Sequence, residues 1–310
     1  MNKLSIVIPY YKISHFEALL TALASQTHQN FNVYIGDDCS LESPVELIGN
    51  YKDKLNIEYK KFEQNMGGMS LTKQWDRCVE LIEDEEWVWV LPDDDVPSEN
   101  CVEEFYKAQA EVKKHDIKVF RFPIKIIDEN GELISDTQYD DPIIENNYEF
   151  YSRIIRGTAS SSLGDNIFNR KSLVQTGGFV SFPKAWGSDH ATVLNASVGG
   201  TLCCLNKASL SFRMSGENIS SDKSDGLIKL QARIQFAQWL KSNEQIFPQK
   251  PDNDFYRYFY WKGEYYVLHE WDFSIPLLKA LYELRKICFD SSNVLPLMKV
   301  VLQKMGLLKT

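Results

Sequence analysis

A run of five apolar residues, 87–91, ends at a proline and is followed directly by three aspartates. Such a run predicts a β-strand that is buried on both faces of a sheet. Pro92 ends the strand, because proline has no N–H to donate to a neighbouring strand. Asp93, Asp94 and Asp95 then stand beyond the carboxyl end of that strand, where open α/β sheets bind their ligands. These carboxylates indicate either a divalent-cation site or a solvated turn before a helix.

Apolar strands and amphipathic helices alternate through the first 122 residues. The strands that we predict there are residues 4–8, 31–35, 55–59, 87–91 and 117–122. Helices are predicted from Ser14, which begins a Ser-x-x-Glu capping box, from Ser70 and from about residue 98. This alternation predicts an α/β fold with a doubly wound, mostly parallel sheet.

The composition is that of an ordinary globular protein, with 44% hydrophobic and 25% charged residues. The net charge of -9 argues against a nucleic-acid partner, for which a basic surface is expected. The six cysteines show no paired spacing, which indicates a reducing compartment without a disulfide framework. With no signal peptide and no apolar run of the ~20 residues that a membrane span needs, we expect a cytoplasmic protein.

The pattern changes after Pro123 to a mixed arrangement rich in loops. An Asn-Gly pair at residues 130–131, between two apolar runs, predicts a β-hairpin. The other elements predicted in this half are helices at 148–156 and 189–198 and strands at 201–205 and 209–214. Irregular halves of this kind are typical of a site that admits varied ligands.

Residues 226–310 carry helical periodicity without strand signals, which predicts a C-terminal helical appendage. The helices predicted there are residues 227–240, 255–271 and 277–287. A dense aromatic cluster between Tyr256 and Tyr266 indicates helix packing, with a sugar platform or an oligomer interface as alternatives. Residues 295–309 alternate leucine-type residues with lysines, which fits either ordinary helix docking or peripheral contact at the inner face of a membrane.

Taken together, several motifs resemble those of the family 2 glycosyltransferases with the GT-A fold. The matching segments, in chain order, are 5–11, 26–27, 33–40, 65–67, 91–95, 177–179 and 186–189. The resemblance implies a Rossmann-like nucleotide-diphospho-sugar transferase fold with a mostly parallel central sheet over residues 1–225. Residues 1–122 would form the nucleotide-sugar-binding half and residues 123–225 the acceptor half. The helical appendage of residues 226–310 lies outside the resemblance.

The family moves a sugar from a nucleotide-diphosphate donor to an acceptor hydroxyl. A divalent ion, Mn²⁺ or Mg²⁺, neutralises the diphosphate leaving group in such a transfer. By resemblance, Asp94 is the principal metal ligand, Asp95 a second metal contact, and Asp93 a residue that binds the donor ribose or sugar. Pro92 stands where many members have the first aspartate of the motif, so the division of roles among the three aspartates stays open.

The resemblance also assigns a nucleobase pocket. Asp38 is expected to hydrogen-bond the base, with Pro9 and Tyr11 lining the same pocket. A carboxylate accepts the imino N–H of uracil or guanine but finds no equivalent donor on adenine, which favours a UDP-sugar. The alternative for Asp38, and more so for its neighbour Asp37, is turn formation or helix capping.

Four further residues are assigned to the nucleotide-sugar site. Asn65 and Gly67 belong to a loop motif, Arg77 lies on the helix before the acidic strand, and Arg213 is expected near the diphosphate. An exposed salt bridge is the alternative for Arg77. A buried structural role is the alternative for Arg213.

Asp189 is the candidate general base. An inverting transfer needs a carboxylate that takes the proton of the acceptor hydroxyl as its oxygen attacks the anomeric carbon. The family places an aspartate here, usually after a glutamate, whereas this chain has Ser188. Ser188 or Asp189 is alternatively the N-cap of the following helix.

The resemblance therefore implies a metal-dependent inverting hexosyltransferase. Its expected acceptor is a saccharide or lipid-linked saccharide in bacterial surface-polysaccharide synthesis. One alternative is a haloacid-dehalogenase-type phosphohydrolase, because residues 90–96 also fit its nucleophile motif, with Asp93 as nucleophile and Asp95 as acid/base. A second alternative is a sugar-binding relative that has lost catalysis.

Overall fold

A computed structural model describes residues 4–112, 114–137, 139–216, 222–289 and 295–304. Strands and helices alternate through its first half, as the hydrophobic periodicity predicted. In chain order the strands are β1 (Leu4–Tyr10), β2 (Phe31–Asp37), β3 (Ile57–Lys61), β4 (Trp87–Val90), β5 (Val96–Pro97), β6 (Ile117–Arg121), β7 (Ile124–Asp128), β8 (Leu133–Ser135), β9 (Ile144–Glu145), β10 (Asn166–Asn169), β11 (Thr201–Cys204) and β12 (Leu210–Met214).

The helices of the described chain pack on both faces of the central sheet. They are α1 (Phe16–Ala24), α2 (Val45–Gly49), α3 (Leu71–Val79), α4 (Cys101–Glu111), α5 (Asn147–Arg156), α6 (Arg170–Gln175), α7 (Ser188–Ala196), α8 (Gly226–Ser242), α9 (Asn253–Tyr265), α10 (Ile275–Phe289) and α11 (Leu295–Lys304). Within these ranges, no helix is both long and apolar enough to cross a membrane.

The central sheet contains eight strands of the described chain, in the order β3-β2-β1-β4-β10-β6-β11-β9. Strands β1 to β4 run parallel to one another, and β6 pairs in parallel with β11. Only β9 and β10 run the opposite way. Strand β4 is fully buried near the middle, which confirms the buried strand and the mostly parallel α/β sheet. The carboxyl ends of β1, β2 and β4 therefore lie side by side at one edge.

A smaller sheet, in the order β5-β12-β7-β8, forms beside this edge. The hairpin predicted at residues 130–131 joins β7 to β8, and Gly131 adopts a φ of 87° in its turn. Strand β5 follows the three aspartates directly and pairs with β12 through Leu210 and Ser211. This pairing ties the acidic turn to the second half of the chain.

Two helices start later than the sequence predicts; α4 begins at Cys101, with Asn100 as its N-cap, where a start near residue 98 was expected. Ser14 does not cap α1, because the helix begins one residue later, with His15 as its N-cap and no side-chain capping bond. Ser70 does cap α3, through a hydrogen bond from the Lys73 N–H. A capping box is present at α5, where the Asn146 side chain and that of Glu149 bond each other's backbone N–H.

The C-terminal helices share a hydrophobic core with one face of the sheet. Phe236 of α8 and Phe259 of α9 pack against Tyr151 of α5, and the same core includes Val88 of β4. The predicted helix over 255–271 is interrupted after α9 by a single π-helical turn, Tyr266–Glu270. The last residues of the lysine-bearing segment, 305–309, lie outside the described chain. Membrane contact and an oligomer interface stay predictions.

Candidate active site

Asp93 ties the ends of β1 and β4 together. The ladder between these strands runs one residue past β4, to a bond from the Leu91 N–H to the Val7 carbonyl, and stops at Pro92. Asp93 Oδ2 then accepts the backbone N–H groups of Tyr11 and Lys12, at 2.7 and 2.9 Å. Burial is the main cause that raises the pKa of Asp93 to about 6. One oxygen of Asp93 is thereby committed to the fold.

Asp94 and Asp95 are held from behind by Arg213. The Arg213 Nε donates to the Asp94 carbonyl and its backbone N–H to Asp95 Oδ1, both at 3.0 Å. Its Nη1 donates to the carbonyls of Asp128 and Glu129, both at 3.0 Å. Arg213 is 3% exposed. The structure therefore gives Arg213 the alternative that the sequence left open, a buried support of the acidic turn.

Asp95 is the most enclosed of the three aspartates. Its side chain is fully buried beneath Gly164, and its Oδ2 has no hydrogen-bond partner. Burial, followed by the charge of Asp94, raises the pKa of Asp95 well above its usual value. Burial likewise raises the pKa of Asp94. A carboxylate as deeply buried as that of Asp95 is not part of a solvated turn.

Asp38 follows the carboxyl end of β2 and is 4% exposed. Its Oδ1 accepts the Met66 N–H at 2.6 Å and its Oδ2 the Gly67 N–H at 2.8 Å. The guanidinium of Arg77 also bonds Oδ1 and stacks on the Phe62 ring, 3.9 Å from its centroid. Arg77 thus forms a partly buried ion pair that holds Asp38, and it is not an exposed salt bridge.

The neighbouring loop and turn are shaped by the same contacts. A Cβ on Gly67 would lie 2.6 Å from Asp38 Oδ2, so only glycine fits beside the carboxylate. Asn65 Oδ1 accepts the Gly68 N–H at 2.6 Å, which closes the loop. Asp37 bonds the Ser40 N–H and the Tyr59 hydroxyl, which is the turn-forming role expected for it.

Asp189 lies in the first turn of α7 without capping it. The N-cap is Gly187, at a φ of 82°, and Ser188 Oγ accepts the Phe182 N–H instead. Asp189 Oδ1 accepts the N–H of His190, and the ring Nδ1 of His190 lies 3.9 Å from the same oxygen. The carboxylate of Asp189 is partly exposed and is not consumed by the helix end.

The Gly-Gly-Phe motif before Asp189 docks on helix α3. The Phe179 N–H donates to Asp76 Oδ1 at 3.0 Å. Gly178 has a φ of 79°, and a Cβ there would lie 2.3 Å from the same Asp76 oxygen. The motif is therefore a close contact between the segment that leads to α7 and the helix that carries Arg77.

These elements enclose one cavity of about 810 Å³. We call one wall the strand-end side; it is lined by residues from segments 9–12, 38, 65–75 and 92–95. We call the other wall the helical side; it is lined by residues from segments 151–163, 184–190, 233–236 and 262–266. Asp38, Asp94 and Asp189 all line this cavity, as do Pro9, Tyr11, Asn65, Gly67, Asp93 and Asp95. Arg77 and Arg213 support it from behind.

Several lining residues of the helical side were not identified from the sequence. They are Tyr151, Lys184, Arg233, Lys262 and Tyr266. The aromatic cluster of α9 did carry a signal, since Tyr256 and Tyr260 pack in the core while Tyr266 reaches the cavity. No local pattern marks Arg233 or Lys262, because their place depends on how α8 and α9 pack.

Residues 159–163 form a loop on the helical side, and the buried carboxylate of Asp165 holds this loop in place. Asp165 accepts the Ser162 N–H at 2.5 Å and the Ser161 hydroxyl at 3.1 Å. Burial raises the pKa of Asp165 to about 7. Arg121 donates to the Ser160 carbonyl at 2.7 Å, and His190 Nε2 lies 3.3 Å from the Ser161 carbonyl. The loop is therefore rigidly supported where it lines the cavity.

A mostly parallel sheet with carboxylates at adjacent strand ends and a helical C-terminus defines a GT-A fold. Residues 5–177, more than half of the chain, match the model of the family described as Glycosyl transferase family 2. The chain belongs to this family, which confirms the resemblance seen in its motifs. The family match argues against the phosphohydrolase alternative, because the acidic turn lies within the matched segment.

One curated relative is the poly(ribitol-phosphate) beta-N-acetylglucosaminyltransferase TarS of Staphylococcus aureus strain Mu50. It is 34% identical over 71 residues, which cover 22% of this chain and only 12% of the relative. The same protein from strain MW2 matches equally.

Crystal structures of residues 1–349 of S. aureus TarS share the fold. The complex with UDP-GlcNAc has a TM-score of 0.71 at 18% identity and covers 98% of this chain and 88% of that one. The complex with UDP has a TM-score of 0.69 at 16% identity with the same coverage. A longer TarS structure, of which this chain covers 53%, has a TM-score of 0.68.

Proposed function

We propose that this protein is a metal-dependent inverting glycosyltransferase that moves a sugar from a UDP-sugar to an acceptor hydroxyl. The observation that carries the proposal is the convergence of Asp38, Asp94 and Asp189 on one cavity of about 810 Å³. A volume of this order suits a ligand site for a sugar nucleotide. The likeness to a relative whose crystal structure holds UDP-GlcNAc supports the choice of donor.

The hydrogen bonds of Asp38 support a uracil base. A carboxylate offers about four acceptor positions. Met66 N–H and Arg77 occupy two on Oδ1, and Gly67 N–H occupies one on Oδ2. One position on Oδ2 is left for an N–H of the base. Uracil and guanine both present such a donor at an imino nitrogen, whereas adenine presents none there; the likeness to a relative crystallised with UDP-GlcNAc favours uracil.

The acidic turn fits a divalent ion that is shared with the substrate. Among the described residues, no three His, Cys, Asp or Glu side chains are grouped to hold an ion alone. Asp94 lines the cavity, and Asp95 Oδ2 is a buried oxygen without a donor. Mg²⁺ and Mn²⁺ prefer such oxygens and take further ligands from phosphates and water. Held by Asp94 and Asp95, an ion would neutralise the charge of the leaving diphosphate.

Asp189 is the residue we propose as general base. The acceptor oxygen forms a bond to the anomeric carbon as the bond from that carbon to the diphosphate oxygen breaks. Asp189 takes the proton of the acceptor hydroxyl, and the nucleoside diphosphate leaves with the electron pair of the broken bond. Attack from the face opposite the leaving group inverts the anomeric configuration. The free lone pairs of the partly exposed carboxylate support this role.

The acceptor and its place in the cell follow from the family resemblance. We propose a hydroxyl of a saccharide or lipid-linked saccharide in bacterial surface-polysaccharide synthesis. Such an acceptor would be met in the cytoplasm or at the inner face of the membrane.

The donor is tested by thermal unfolding with UDP, GDP and ADP, each with and without Mn²⁺. We expect UDP to raise the Tm most, and more so with the ion, because a ligand that binds only the folded state stabilises it. Equal shifts with all three nucleotides, or none, would contradict the assignment of Asp38.

Catalysis and the metal site are tested by hydrolysis of a UDP-sugar with Mn²⁺ in wild type and Asp94→Ala. We expect the variant to lose the Mn²⁺-dependent rate while retaining its fold. Asp272→Asn, which changes an exposed carboxylate, is the matched control. Equal rates in wild type and Asp94→Ala would remove the metal assignment. Nucleotide binding without any hydrolysis by wild type would favour the inactive relative.

A further inference from the structure

The helical side of the cavity contains two basic side chains from the C-terminal helices. Arg233 of α8 and Lys262 of α9 both line the cavity, and Arg233 is 7% exposed. Neither residue lies in the segment that matches the family, which ends at residue 177. This basic pair is therefore a feature of the appendage and is not explained by the family motif.

Arg233 and Lys262 each have N–H groups that are not used in hydrogen bonds to the described chain. Arg233 donates from Nε and Nη2 to the Phe259 carbonyl, and Lys262 Nζ donates to the Ile154 carbonyl at 2.9 Å. No carboxylate of the described chain lies within 4.0 Å of either cation, whereas Lys184 in the same cavity pairs with Asp225 at 3.0 Å. Burial, and then the charge of Arg233, lowers the pKa of Lys262 to about 8.

The pair lies on the helical side of the cavity, the wall that also contains Asp189. Burial lowers the pKa of His190; the charge of Asp189 opposes this, and the charges of Lys262 and Arg233 add to it. The charges that act most strongly on Asp94 are instead those of His15, Arg213 and Lys12. An anion bound by the pair would thus lie near the proposed general base, on the side that the acceptor enters.

The residues packed around Arg233 hold its guanidinium in place. A Cβ on Gly263 would lie 3.0 Å from Arg233 Nε, so glycine in α9 leaves the space that the guanidinium occupies. Arg233 is buried and Lys262 is partly buried, and neither pairs with a carboxylate of the described chain; the free-energy cost of holding these charges there falls when an anion binds. The net charge of the chain is -9, so the pair is not part of a generally basic surface.

We propose that Arg233 and Lys262 form an anion subsite that binds a phosphate group carried by the acceptor. The planar guanidinium and the ammonium can donate to different oxygens of one phosphate group. The subsite would position an acceptor hydroxyl near Asp189 and would make the C-terminal helices part of acceptor selection. The assignment of the phosphate group to an acceptor rests on the proposed glycosyl transfer. The binding of an anion by Arg233 and Lys262 does not depend on it.

The experiment measures the binding of inorganic phosphate by calorimetry to the protein saturated with UDP in the absence of metal. UDP fills the donor phosphate positions, so phosphate reports on the remaining anion site. We expect the Kd for phosphate to rise at least tenfold in Lys262→Gln, which keeps a donor for the Ile154 carbonyl. Arg257→Gln, which removes a surface cation from the same helix, should bind phosphate like wild type.

Arg233→Gln is the second variant, and thermal unfolding and UDP affinity verify that each variant is folded. Equal phosphate affinity in wild type and both cavity variants would overturn the subsite, as would undetectable phosphate binding by wild type. Phosphate binding that UDP abolishes in wild type would assign the pair to the donor diphosphate and also overturn the proposal. A protein that neither binds UDP nor hydrolyses UDP-sugars would contradict the proposed function, while phosphate titration without UDP would still test the pair.

Discussion

The two sides of the cavity are built in different ways. On the strand-end side, buried carboxylates bind backbone N–H groups close to the ends of parallel strands, as Asp93 does with Tyr11 and Lys12. On the helical side, side chains from α5, α7, α8 and α9 meet over the sheet, and two cations lack a carboxylate partner among the residues that the structure describes. The strand-end side is thus fixed by the sheet itself, whereas the helical side is assembled by tertiary packing. If the proposed function holds, a change in how these helices pack would alter the acceptor wall and leave the donor wall in place.

The largest expected effect is on the helical side. Asp189→Asn should lower the rate of UDP release from a UDP-sugar by about 10²–10⁴-fold, because it removes the proposed general base. UDP affinity, measured by calorimetry, should stay unchanged, because the nucleotide is assigned to the opposite wall. An equal loss of UDP affinity would break the separation of the two sides. Asp272→Asn serves as the exposed control.

The ion pair behind the strand-end side gives the next effect. Arg77→Met should lower the free energy of unfolding by about 2 kcal/mol, because the buried Asp38 loses its cation. The expected loss is below that of a fully buried pair, since Arg77 is itself 18% exposed. Denaturant unfolding measures the change. Arg257→Met removes a surface pair with Asp254 and should lower the free energy of unfolding by about 0.5 kcal/mol or less. Similar losses in Arg77→Met and Arg257→Met would show that the Asp38 carboxylate does not depend on Arg77.

A smaller effect is expected from a single methyl group beside Asp38. Gly67→Ala should weaken UDP binding about tenfold, or ~1.4 kcal/mol, because the new Cβ displaces the Asp38 carboxylate. Gly49→Ala is the matched control, since a Cβ at Gly49 in α2 meets nothing within 4 Å. Calorimetry with UDP compares the two. Unchanged affinity in Gly67→Ala would argue that the base does not contact Asp38.

The smallest effect concerns pH and the loop of the helical side. The pKa of Asp165 is about 7 in the folded protein and about 3.9 in an unfolded chain, so between these values the folded protein holds a proton that the unfolded chain has lost. Stability therefore falls as the pH rises through this range. Between pH 6 and pH 7 the free energy of unfolding should fall less in Asp165→Asn than in wild type, by on the order of 1 kcal/mol.

Denaturant unfolding at both pH values provides that measurement. Asp272→Asn should follow wild type, because its carboxylate is exposed. A slope in Asp165→Asn as steep as in wild type would show that Asp165 is ionised in the fold at neutral pH.

Much of the fold and the strand-end side was predictable, because the deciding signals are local. Hydrophobic periodicity placed β4 and the helices, and the turn after β2 placed Asp38 at the mouth of the site. The partners of Arg213 were not predictable, since the carbonyls of Asp94, Asp128 and Glu129 come together only in the folded chain. The same holds for Arg233 and Lys262, which reach the cavity only because α8 and α9 pack beside α5.

Helix α3 carries neighbouring residues that serve opposite walls. Arg77 grips Asp38, while Asp76, one position earlier, grips the segment that leads to α7. A nucleotide that tightens the first contact would also shift the second, because Asp76 and Arg77 are adjacent residues of one helix. We therefore expect ordered kinetics, in which the sugar nucleotide binds first and thereby positions the helical side for the acceptor hydroxyl.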